Sequence, residues 1–103
     1  MKTYNKLVRD KIPEIIKADG QKPKYKHLLL SGDELKKKLR EEVYEFLASD
    51  DVEELADILE VVFALSSEVC LKSKEELLEI YQKKHDEKGG FSQKIFLISV
   101  EDK

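Results

Sequence analysis

A chain of 103 residues with 41% hydrophobic and 40% charged content suits one helical domain with a modest core and solvated faces, helped by self-association. Its 22 acidic and 19 basic residues leave a net charge of -3, which excludes the overall basic field behind nonspecific nucleic-acid binding. The single cysteine, Cys70, excludes an intrachain disulfide framework and a thiolate metal cluster, and reads as a small core side chain in a reducing compartment.

The opening MKTYNKLVRDKIP lacks the long apolar core of a signal peptide. The longest apolar run, Val61 to Leu65, is far too short to span a bilayer. A soluble, cytoplasmic protein without a membrane partner is therefore expected. No repeat, low-complexity tract or composition shift divides residues 1–103, which read as one unit. The expected fold class is mainly α, an antiparallel helical bundle.

Tyr4 to Lys11 is mixed basic and apolar, an irregular lead-in that places Lys6, Arg9 and Lys11 as ordinary surface charge on composition alone. Pro13 suits the first position of a short helix that Gly20 can end. The segment KYKHLLL, residues 24–30, precedes Ser31, Gly32 and Asp33; near the other end, KIFLISV, residues 94–100, is apolar and β-branched. The two can pair as a short two-stranded β ribbon.

A second helix is expected from Ser31 or Asp33 to about Ala48, with Glu34 available for a capping box from Ser31. Its apolar stripe is Leu35, Leu39, Val43 and Phe46. At about 100° per residue, Glu42 lies beside that stripe, Glu45 a little further round, and Glu41 mostly toward solvent. Lys38 shares the flank of Glu42 and Glu45. Ser49, Asp50 and Asp51 make a short break that favours an antiparallel hairpin. The third helix, from about Val52 to Leu71, is apolar around most of its circumference, so one side is expected to meet another subunit. Ser73 and Glu76 make a capping box for a fourth helix ending near Lys88, before Gly89 and Gly90. His27 and His85 read as structural or capping residues.

Two acidic strings stand on either side of the break: Glu41, Glu42 and Glu45 form EExxE, and Glu54 and Asp57 form ExxD. Carboxylates three apart share a helix face. In an antiparallel hairpin, Glu45 falls opposite Glu54 and Glu42 opposite Asp57, on two levels about 4.5 Å apart at about 1.5 Å rise per residue. Helix axes about 8 to 10 Å apart would let these groups share a cation. An oxygen-only set without His or Cys suits Mg²⁺, with Mn²⁺ as a substitute. The competing interpretation is a solvated acidic helix pair, with Glu54 as capping partner of Asp51. Neither histidine has a Glu three residues before it, no P-loop is present, and no nucleophile triad is evident, which counts against di-iron, P-loop and covalent mechanisms.

The paired acidic strings resemble the all-α nucleoside triphosphate pyrophosphohydrolase superfamily, which includes MazG, dimeric dUTPases and phosphoribosyl-ATP pyrophosphohydrolases. The opening YNKLVRDKIPEI and the later EKGGF are similar to a small MazG-like branch labelled phosphoribosyl-ATP pyrophosphohydrolase-like. The interval between the acidic strings is shorter than in many relatives. The resemblance implies a Mg²⁺-dependent cleavage between the α and β phosphates of a nucleoside triphosphate. It implies Glu42, Glu45, Glu54 and Asp57 as metal ligands, with Glu41 a secondary neighbour. Glu42, Glu45 and Lys38 become the catalytic candidates, and Lys38, Arg9, Lys11 and Lys6 the phosphate-binding ones. A homodimer or homotetramer is implied, and no nucleic-acid partner. The alternative is a noncatalytic helical module that binds nucleotide or a protein partner.

Overall fold

The computed structural model describes residues 2–102 and contains four helices: α1 (Ile12–Ala18), α2 (Gly32–Ser49), α3 (Val52–Glu68) and α4 (Lys74–Lys88). Ile12 opens α1 with Pro13 as its second residue, one place later than expected, and Gly20, at φ +83°, turns the chain after it while donating its N–H to the Lys17 carbonyl at 3.0 Å. That left-handed conformation favours glycine because any Cβ would crowd the backbone.

Ser31 stands at the N-cap of α2, but the expected capping box with Glu34 does not form. Its backbone is already helical, at φ -114° and ψ -3°, and its side chain makes no cap hydrogen bond. A capping hydroxyl needs an extended backbone to reach the first-turn N–H groups. Glu34 pairs instead with Lys37 at 3.2 Å.

Helices α2 and α3 form an antiparallel hairpin around Asp50 and Asp51. Asp50 adopts the left-handed conformation at φ 56° and donates its N–H to the Phe46 carbonyl at 2.8 Å. Asp51 then caps α3, its carboxylate accepting from the Glu53 N–H at 3.0 Å, while its own N–H donates to Ser49 Oγ at 3.2 Å. Two residues thus reverse the chain. The Asp51–Glu54 box of the competing interpretation does not form, because Asp51 accepts from the Glu53 N–H and gives its own N–H to Ser49.

Helix α3 ends at Glu68, short of the expected Leu71. Ser66, only 5% exposed, donates its hydroxyl to the Lys72 carbonyl at 2.9 Å and accepts the Lys72 N–H on its own carbonyl at 2.9 Å. That double tie folds residues 69–72 back across the helix end, with Leu71 at φ 57°. The capping box of α4 is complete: Ser73 Oγ accepts from the Glu76 N–H, and the Glu76 carboxylate accepts from the Ser73 N–H, both at 3.1 Å. Gly89 closes the helix on the His85 carbonyl at 2.7 Å.

The core is thin. Leu35 and Val61 are its buried apolar residues, joined by Glu42 and Ser66. The ribbon expected from residues 24–30 and 94–100 is not formed, and no strand occurs among the described residues. Both segments stand exposed; Leu29 is 102% and Phe96 88% accessible. An isolated pair of strands with no apolar face to rest on is marginal in water, which accounts for the difference. Cys70, read from sequence as a core side chain, is exposed just beyond α3.

The chain extends over 66 × 31 × 22 Å with a radius of gyration of 18.5 Å, against about 13 Å for a compact domain of this length. Its accessible surface is 9977 Å², where a compact monomer of this mass exposes about 6000 Å². No helix among the described residues is long and apolar enough to cross a membrane.

Candidate metal centre

The acidic strings meet because α2 and α3 leave the Asp50–Asp51 turn antiparallel, with their carboxylates at matched distances from it. Along α2, Glu41, Glu42 and Glu45 each offer an oxygen within 4.8 Å of the others. Across the hairpin, Glu42, Glu54 and Asp57 do the same. Glu42 belongs to both groups and is their hub. It is also the buried one, 6% exposed, whereas Glu54 and Asp57 are half-buried and Glu45 is open to solvent.

Lys38 supplies the nearest positive charge. Its ammonium lies 3.3 Å from Glu42 Oε1 and 3.4 Å from Glu41 Oε1, one helical turn before them. The second oxygen of Glu42, Oε2, is buried without a hydrogen-bond partner among the described residues, and so is Oε2 of Glu54. A buried carboxylate oxygen with no donor is costly, because it has given up water and gained nothing. Two such oxygens, close to a third carboxylate, leave more negative charge and more unmet acceptors here than Lys38 and Arg9 offset.

The protonation equilibria express the same imbalance. Burial pushes Glu54 up to about 7, helped by the charge of Glu45, by hydrogen bonding with it, and by the charges of Asp57 and Glu42. Burial also raises Glu42, reinforced by Glu45 and Asp57 and partly offset by Lys38. For Glu41 burial works upward, yet Lys6 and Lys38 outweigh it and its carboxyl lies below the usual range. The Lys38 ammonium is penalised by burial, and contacts with Glu42 and Glu41 more than compensate, so its affinity for the proton rises. One flank of the cluster is charge-satisfied; the Glu42–Glu54 flank is not.

The basic candidates fall in different places. Lys38, 17% exposed, points at Glu41 and Glu42 within the cluster. Lys6 Nζ is 3.2 Å from Glu41 Oε1, and Arg9 Nη2 is 3.5 Å from Asp57 Oδ1. Lys11 is exposed, makes no ion pair among the described residues, and precedes α1. His27 and His85 belong to neither acidic group.

Three of these residues sit differently from what the sequence indicates. Glu41 is not directed into open solvent: its flank is covered by the lead-in segment, and its carboxylate is held by Lys6 and Lys38. The role of Lys6 and Arg9 as partners of the carboxylates was also missed. Their charge and their spacing of three were the available signal, but nothing local indicated that this segment crosses the hairpin.

The donor set is oxygen-only, anionic and partly desolvated, and two groups in it, Glu41, Glu42 and Glu45, and Glu42, Glu54 and Asp57, bring their oxygens close enough that either could hold a cation. Compared with protein-family models, curated proteins and solved structures, the chain matches none of them. Fold and geometry define it as an all-α, four-helix protein with acidic clusters.

Proposed function

We propose that this chain is a Mg²⁺-dependent nucleoside triphosphate pyrophosphohydrolase, cleaving between the α and β phosphates to release monophosphate and pyrophosphate. The observation that carries the reading is the pair of buried, unpartnered oxygens, Glu42 Oε2 and Glu54 Oε2, beside Asp57. A divalent cation bound there would supply charge neutralisation at phosphate oxygens and a lowered pKa for water. The likeness of the acidic strings and of the NKLVRDKIP opening to the MazG-like pyrophosphohydrolases gives the reaction class, and Mn²⁺ is the natural substitute ion.

The chain's own residues then divide the work. Glu42, Glu54 and Asp57 would hold the cation, and Lys38 fixes the Glu42 carboxylate from one side. Glu45, open to solvent at the rim, is placed to accept a proton from the attacking water. Lys6, Arg9 and Lys11 provide positive charge for the phosphates from the lead-in segment. Removal of unwanted nucleotides in a reducing cytoplasm is a suitable role, in keeping with the free Cys70.

We also propose that the working form is a homodimer or homotetramer. The surface excess of about 4000 Å² per chain over a compact monomer exceeds the roughly 1000–2500 Å² that each partner loses in an obligate interface, which leaves ample area for association. Exposed Leu47, Val52, Leu55 and Leu59 on the α2–α3 hairpin supply apolar area for it.

A panel of normal and damaged nucleoside triphosphates, incubated with protein and Mg²⁺ and resolved into products, tests the reading. Monophosphate and pyrophosphate in equal amounts are expected. Folded protein that releases neither from any member would overturn it. The competing noncatalytic module is separated by melting the protein across micromolar to millimolar Mg²⁺: a true cation site raises the melting temperature, and a solvated acidic face does not.

A further inference from the structure

The lead-in segment reaches both helices of the hairpin through its cations. Lys6 contacts Glu41 on α2, and Arg9 contacts Asp57 on α3. Leu7, next to Lys6 in sequence, is half-buried, and the Lys6 ammonium also lies 5.9 Å from the centre of the Tyr4 ring. Five carboxylates and three cations therefore share this surface. Lys38 is a fixed member, mostly buried and on the same helix as its partners. Lys6 and Arg9 differ: their side chains are 43% and 55% exposed, and they belong to a segment outside any helix.

Exposed ion pairs are weak and readily exchanged, because water screens them and long side chains lose entropy in making them. A divalent cation competes for the same carboxylate oxygens with twice the charge and a smaller radius. Once it binds, Arg9 loses the attraction of Asp57 directly, and the added positive charge beside Glu42 weakens the hold of neighbouring Glu41 on Lys6, while both remain tethered beside the centre. An anion arriving with the metal is then met by cations already in place.

We propose that Lys6 and Arg9 are exchangeable counter-ions of the acidic cluster, neutralising Glu41 and Asp57 when the metal is absent and passing to the polyphosphate of the substrate when it binds. The inference rests on the metal-centre reading and deepens it. It makes metal and polyphosphate binding mutually reinforcing through these two side chains, since linkage between two ligands is reciprocal.

Isothermal calorimetry with MgCl₂ alone, and then with inorganic tripolyphosphate at saturating Mg²⁺, tests it on the full chain. For the K6Q/R9Q double variant, Mg²⁺ alone should bind about 3- to 10-fold more tightly, because its competitors are gone. Tripolyphosphate should bind at least about 10-fold more weakly, because its partners are gone. The matched variant K17Q/K22Q, with the same change in net charge away from the cluster, should leave both affinities at the wild-type value. Unchanged or weaker Mg²⁺ binding by K6Q/R9Q would overturn the exchange while leaving the metal centre standing. Wild-type protein that takes up no Mg²⁺ would remove the metal centre and the exchange together.

Discussion

Glu42 on α2 and Glu54 on α3 approach across the hairpin with ligand oxygens within 4.8 Å, and each keeps one buried oxygen without a hydrogen-bond partner among the described residues. Like-charged groups this close stay together only if protons or a cation reduce the repulsion. The first two predictions separate those two ways of reducing it.

Without metal, protons do it. Glu54 has its folded pKa raised from 4.5 to about 7, so between these values the folded state binds more protons than the unfolded state. Stability from this group is fully present below about 4.5 and is lost as pH rises through about 7. Glu42 is shifted in the same direction and acts with it, whereas the lowered Glu41 and Glu76 act in the opposite sense, losing stability in acid. Metal-free protein should therefore melt at a lower temperature at pH 8 than at pH 5.5. Glu54→Gln should flatten that dependence and raise the melting temperature at pH 8. An unaltered slope in the variant would assign the effect elsewhere.

With metal, the cation does it. Glu42→Gln and Asp57→Asn each remove an anionic ligand and should weaken Mg²⁺ binding by more than about 100-fold, beyond the loss typical of outer-shell partners. Both should abolish the rise in melting temperature with Mg²⁺, and triphosphate turnover with it. Circular dichroism should show an intact helical fold, since the amide and the acid have nearly equal volume. A retained Mg²⁺-dependent rise would remove either residue from the ligand set.

The hairpin corner has its own test. Asp50 sits at φ 56°, where a Cβ normally costs about 1–2 kcal/mol and where Asp, Asn and Gly are the tolerated residues. Asp50→Val should destabilise the protein by about 1 kcal/mol in urea unfolding, because a β-branched side chain is an outlier at positive φ where Asp is tolerated, while Asp50→Gly should fall within about 1 kcal/mol of wild type. Equal urea midpoints for the two variants would show that the corner carries no conformational demand.

Self-association predicts a solution mass that is a multiple of 12.0 kDa. Light scattering coupled to size exclusion should show this at micromolar concentration. Leu47→Asp and Leu59→Asp, on exposed positions of the hairpin, should shift the mass toward the single-chain value. A wild-type mass of 12.0 kDa at tens of micromolar would argue against the oligomer.

Much of this fold was legible because its instructions are local. The capping box at Ser73 and Glu76, Pro13 at the start of α1 and the polar break at Asp50 act within a few residues of themselves. The clustering of the acidic strings was legible for the same reason, since it follows from helical rise and one short turn. Glu41 was not, because its environment is made by Lys6, 35 residues earlier, and helical angle alone carries no record of what covers a face. The Ser31 cap depended on a backbone conformation that the composition S-G-D leaves open. Residues 94–100 showed strand character without any indication of a surface on which to lie.

The Asp50–Asp51 corner also bears on the order in which the molecule assembles. Every carboxylate of the centre lies within the short stretch from Glu41 to Asp57, so bringing them together requires closing only a small loop. Contacts so near in sequence form fast, ahead of those that depend on distant segments. The carboxylates thus depend on one local reversal of the chain, whereas Lys6 and Arg9 reach them from far earlier in the sequence.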